Sequence, residues 1–215
     1  MRASIELLPD PSGEDLVRAC WRALSAAGLP GRGDHQGLSN WPHVTVWESA
    51  VHVADRLGVP RAEAPTPGVV PVDRLRPVLD LLPVSAPVLG IAVLGRRDRG
   101  VVVLELDPTA LAPVHDRVHE IADAGGAGWR RTPWRPHLSL TRALPAELVD
   151  PAVDVVGPII ANAPAVRLVR LRTWDPAVAR AEEIACRWLP SRPEEWVRTQ
   201  STGGWSEGVD RVDGC

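Results

Sequence analysis

Two segments about 90 residues apart repeat one pattern: NWPHVTVW at 40–47 and WRPHLSL at 134–140. Each has a proline, a histidine, an apolar residue, a hydroxyl residue and another apolar residue. In extended backbone the side chains at i and i+2 share a face. One face of each segment therefore carries an imidazole beside a hydroxyl, His43 with Thr45 and His137 with Ser139. The opposite face carries Val44 and Val46, or Leu138 and Leu140. Each segment also follows a strand-like stretch and a helical stretch, so the chain is expected to fold as two related halves. With six histidines in this composition, two such matches arise by chance in roughly a few chains per thousand.

The rest of the chain fits that division. Residues 2–8, RASIELL, read as a strand. A helical stretch opens at Pro11, Ser12 and Glu14 and runs to about Ala27, with Leu16, Ala19, Cys20, Ala23, Leu24 and Ala27 at helical spacing. Residues 28–37 form a turn-rich loop. Residues 49–71, rich in proline, alanine and valine, read as an insertion or connection. Residues 73–82 are expected to form a short helix broken at Pro77. PVLGIAVLG and GVVVLELD, joined by RRDR, read as a hairpin, followed by a helix from Pro108 to Ala124 and a glycine-rich loop. After the strand at 136–142, a helix is expected from about Pro145, then strands at 165–174 and 181–189. Strands mixed with a few helices, without strict βαβ alternation, indicate an α+β fold with largely antiparallel sheets. A single domain over 1–190 and a partly disordered tail over 191–215 complete the expected organisation.

Composition narrows the chemistry. All 24 basic side chains are arginine, phenylalanine and tyrosine are absent, and tryptophan occurs nine times. Any phosphate-binding cation is thus a guanidinium, always charged and able to grip two oxygens. The net charge of −3 argues against a broad nucleic-acid surface, DNA included, while leaving room for a local basic pocket. No apolar run approaches the roughly 20 residues of a membrane span, and MRASIELLPD lacks a signal-peptide core. Three cysteines without metal-type spacing suit a reduced, cytoplasmic compartment. A monomer is the default expectation.

A lone strand histidine is ordinarily a core or surface residue; the matched hydroxyl neighbours set this pair apart. The competing motif is HDRVHE at 115–120, where His115 and His119 have the i, i+4 spacing of zinc-binding HExxH helices. Asp116 stands where the catalytic glutamate would be, and no third ligand is evident, so a zinc hydrolase is the weaker alternative and a solvent-facing helix edge the expected one.

The motifs HVTV and HLSL, with RASIELLP and RPHLSLTR around them, resemble the two-histidine (2H) phosphoesterases. Within that group they are similar to the bacterial 2'-5' RNA ligase-like proteins. The resemblance covers about residues 2–189. It implies two pseudo-symmetric lobes with antiparallel sheets and flanking helices, the motif strands lining a central cleft. It also implies metal-independent, cofactor-free opening of 2',3'-cyclic phosphates on RNA ends or nucleotides to a 2'-phosphate. His43 would be general acid and His137 general base, with Thr45 and Ser139 binding the phosphoryl oxygens. Arg142, with Arg135 nearby, would help to hold the phosphate. Trp47 and Trp134 are candidates for stacking a base. A non-catalytic nucleotide or RNA-end binder would need the same groups and stays open at this level.

Overall fold

The computed structural model describes residues 2–34, 40–49, 69–123, 133–176 and 180–185. Most of the expected insertion, the glycine-rich loop and the C-terminal tail lie outside these residues, as do His35 and His52.

The strands are β1 (Ser4–Pro9), β2 (Val44–Glu48), β3 (Val84–Arg96), β4 (Arg99–Leu106), β5 (His137–Ser139), β6 (Leu144–Pro145), β7 (Ala165–Asp175) and β8 (Arg180–Ala185). The helices are α1 (Pro11–Ala26), α2 (Pro108–Ala122) and α3 (Val149–Ile160). The strand order β2-β1-β7-β3-β4-β5 has a motif strand at each end, and every pairing between these strands is antiparallel. The order is palindromic: motif strand, inner strand, long strand, long strand, inner strand, motif strand. The fold is α+β with two lobes, β1-α1-β2 answering β4-α2-β5.

The duplication extends into the turns. Asp10 caps α1, its Oδ1 accepting from the Gly13 amide at 2.8 Å, and Asp107 caps α2 by accepting from Thr109 at 2.8 Å. A proline follows each cap, where its missing N–H costs nothing. The Asp10 amide donates to Arg167 on β7 at 2.8 Å, and the Asp107 amide donates to Pro87 on β3 at 2.9 Å. Each helix thus leaves its strand by the same tethered corner.

The lobes meet where Val84–Pro87 of β3 pair with Ala165–Leu168 of β7. Beyond this, β3 changes partner to β4, with a register shift between Val88 and Gly90. Gly90 has φ of 128°, a conformation that a side chain rarely adopts, so glycine permits the bulge that redirects the strand. Leu7, Leu104, Leu106, Leu138, Leu140 and Leu168 are fully buried along these strands. Each contributes about 1.5–3 kcal/mol relative to exposure.

Two elements depart from the sequence expectation. Residues Val72–Leu81 form a 3-10 helix that runs through Pro77 rather than breaking there. Short i, i+3 turns lose only one bond to the missing N–H, whereas an α-helix would also clash with the ring. The helix expected from Pro145 begins with a 3-10 turn at Ala146–Leu148, and its α-helical part starts at Val149.

Candidate active site

Burial follows the alternation of both motifs. Val44 and Val46 on one strand, Leu138 and Leu140 on the other, are 0–3% exposed. His43, Thr45, His137 and Ser139 are all half-buried. Each imidazole and its hydroxyl neighbour therefore occupy the face of the strand that is not committed to the core.

The two rings are held alike. Nδ1 of His43 lies 2.7 Å from the carbonyl of Trp41, and Nδ1 of His137 lies 2.8 Å from the carbonyl of Arg135. A carbonyl oxygen only accepts, so Nδ1 carries the proton in both rings. Nε2 is then the acceptor of a neutral ring and a second donor of a charged one. Arg172 Nη2 also lies 3.4 Å from Nδ1 of His43, a contact between two donors rather than a hydrogen bond.

Tertiary contacts draw the two motif strands together. The Trp134 indole, just before His137, donates to the Thr45 carbonyl at 3.2 Å. The helix of each lobe braces the motif strand of the other. Trp21 on α1 donates to the Ser139 carbonyl at 3.2 Å, and Asp123, at the end of α2, accepts from Trp47 at 2.9 Å. His119 also bonds Asp123 at 2.9 Å, and His115 stacks on Trp134 with ring centroids 4.2 Å apart.

These contacts correct two expectations. Trp47 is 2% exposed and has no open face for a base. The HDRVHE helix does not turn its histidines to solvent: His119 is 2% exposed and the His115 side chain 14%. Stacking of His115 on Trp134, and the Asp123 carboxylate that His119 shares with Trp47, account for their inward direction. Among the described residues, no group of three or more His, Cys, Asp or Glu side chains is placed to hold a metal ion. For Trp134, the His115 ring takes up one face. Arg135 donates to Glu105 at 2.6 Å, an ion pair at an exposed position, and Glu105 stands directly opposite His137 in the strand register. Hydrogen bonding from Arg135 is the main cause holding the Glu105 carboxyl below its usual range. Arg142 is exposed, just past β5.

Two neighbours of His43 were not anticipated. Glu6 pairs with Thr45 in register on one side and with Arg172 on the other. All three side chains share a face, because directly paired residues do so. Both charges are buried at 4% exposure. Glu6 accepts from Arg172 Nε at 2.8 Å, from Arg172 Nη2 and from Ser4 Oγ at 2.7 Å. Its Oε1 lies 3.7 Å from Nε2 of His43. Burial raises the Glu6 pKa, but the charges of His43 and Arg172, with the hydrogen bonds from Ser4 and Arg172, outweigh it and leave a lowered value. A sequence signal existed in both cases: an acid inside SIELLP and arginines inside VRLVRLRTW, both otherwise strand-core segments. Cys20 is no rival nucleophile, since burial pushes its thiol up to about 11.

No protein-family model matches the chain, and no curated protein matches it in sequence. Among solved structures, it is similar to Usb1 of Kluyveromyces marxianus at 10% identity and a TM-score of 0.45. The same protein with uridine monophosphate gives 14% identity and a TM-score of 0.41. Each comparison covers 86% of this chain and 98% of the other.

Proposed function

We propose that the protein is a metal-independent phosphodiesterase that opens 2',3'-cyclic phosphates on RNA ends or nucleotides to a 2'-phosphate. The observation carrying this reading is the matched tethering of the two imidazoles. Both rings have Nδ1 fixed on a carbonyl, which makes Nε2 the basic nitrogen of the neutral ring, each beside a hydroxyl, on strands joined through Trp134 and Thr45.

In this mechanism the neutral His137 ring takes a proton from water through Nε2 as the water oxygen attacks phosphorus. His43, charged, gives its Nε2 proton to the departing 3' oxygen, and the 2' ester remains. The order of roles follows the resemblance to 2H phosphoesterases, since the tethering treats both rings alike. Thr45 and Ser139 donate to the non-bridging oxygens, where charge grows as phosphorus becomes five-coordinate. The Glu6–Arg172 pair carries no net charge, so it orients the His43 side of the site without repelling an anion.

The test is turnover of uridine 2',3'-cyclic phosphate in the presence of EDTA, with the product phosphate position assigned by phosphorus NMR. His43→Ala and His137→Ala should each lose about 10²–10⁴-fold. Activity lost to EDTA and restored by zinc would overturn the reading, as would full activity in both variants. Binding of the nucleotide without turnover would leave a binding module in place of an enzyme.

A further inference from the structure

Gly31 and Thr141 form an isolated antiparallel bridge, and the Arg32 amide donates to the Leu140 carbonyl at 3.2 Å. The segment after α1 is thereby fastened to the end of the second motif, immediately beyond Ser139. Arg32 and Arg142 project from this joint, and both are exposed. Among the described residues neither guanidinium has a carboxylate partner. Asp34, the acid nearest in sequence, accepts from the Gly31 amide at 2.9 Å. Packing around Arg32 and, after it, the charge of Arg142 hold the Arg32 guanidinium below the ordinary arginine range. Two like charges set together without a counter-charge repel each other, and an anion between them relieves the repulsion.

We infer that Arg32, with Arg142, forms a second anion subsite that binds a phosphate of the substrate other than the one being opened. This rests on the phosphodiesterase reading of the motif face. Three residues of chain separate Ser139 from Arg142, a reach of at most roughly 10 Å. That distance suits a phosphate on the far side of the same nucleotide or the next one along a strand. The substrate class is therefore a nucleotide end carrying a further 5' phosphate, as every RNA 3' end does, in preference to a bare cyclic nucleoside phosphate. Arg32 adds specificity rather than chemistry. Its backbone amide and carbonyl hold the joint, the carbonyl accepting from Asn40 at 2.7 Å. Truncating its side chain consequently removes the charge and leaves the fastening.

The experiment compares two product nucleotides, uridine 2'-monophosphate and uridine 2',5'-bisphosphate, by calorimetry. It also compares kcat/KM for uridine 2',3'-cyclic phosphate with and without a 5' phosphate. The 5' phosphate should improve binding and kcat/KM about tenfold in the unaltered protein. In Arg32→Ala that gain should fall close to one, and Arg32→Lys should keep part of it. The salt slope of bisphosphate binding should drop by about 0.7–0.9 in Arg32→Ala. A gain that persists in Arg32→Ala, or no gain in the unaltered protein while the monophosphate binds, overturns the subsite and leaves the phosphodiesterase reading standing. Failure of every nucleotide to bind or turn over would remove that reading and the subsite with it.

Discussion

Replacing Glu6 with glutamine tests whether the buried charge row beside His43 holds the first lobe together. Glutamine keeps the shape and an oxygen acceptor for Ser4, but removes the negative charge facing Arg172. Arg172 is 4% exposed, so its guanidinium would remain buried without the carboxylate of Glu6. Breaking a buried pair from one side costs about 3–5 kcal/mol; with the retained acceptor, about 3 kcal/mol is expected. For a chain of this size each kcal/mol shifts Tm by about 2–4 °C, giving a drop of about 6–12 °C at pH 7. Urea denaturation and calorimetry measure it. In a double-mutant cycle with Arg172→Met, the two losses should fall short of additive by about 2 kcal/mol or more. The pH dependence has a definite sign. The folded carboxyl has a lowered pKa, so its contribution is complete above the unfolded value of about 4.3 and disappears as pH falls through the folded one. The gap between the unaltered protein and Glu6→Gln should therefore narrow as pH drops below about 4.3. A loss under 1 kcal/mol at pH 7, or a gap that does not narrow in acid, would refute this account of the pair.

Thr45→Val and Ser139→Ala should each lower kcat for a cyclic nucleotide by about 10²–10³-fold while Tm stays within a few degrees; unchanged kinetics would remove the hydroxyls from the mechanism. Trp134→Phe deletes the bond to the Thr45 carbonyl, worth about 0.5–1.5 kcal/mol, and keeps the ring against His115. It should lower kcat more than it raises KM, measured by steady-state kinetics, because it loosens the spacing of the motif strands. Equal kcat in the two proteins would show that the bond does not set that spacing.

Local pattern accounts for much of what could be read beforehand. The helix from Pro11 and the hairpin around RRDR appear within a few residues of their expected places, because apolar spacing and turn residues act over short stretches of chain. The faces of His43 with Thr45 and of His137 with Ser139 were legible for the same reason, since alternation is a property of each strand alone. The repeated Asp-Pro at 10–11 and 107–108 was also present in the sequence, and it marks the duplication beyond the two histidine motifs. Pro77 does not break its segment, because the local structure there is 3-10 rather than α-helical.

By itself, then, the sequence determined that two strands would each offer an imidazole and a hydroxyl on one side and aliphatic side chains on the other. Which side chains surround those groups was decided only by tertiary structure. Glu6 meets Arg172 and Arg32 comes beside Arg142 through pairings between distant segments, and no local period records them. Trp47 is alike in this respect: it is buried with its indole N–H on Asp123, 76 residues away, whereas His119 meets the same carboxylate four residues on at the end of its own helix. A polar group enters a core only when such a partner is there to meet it.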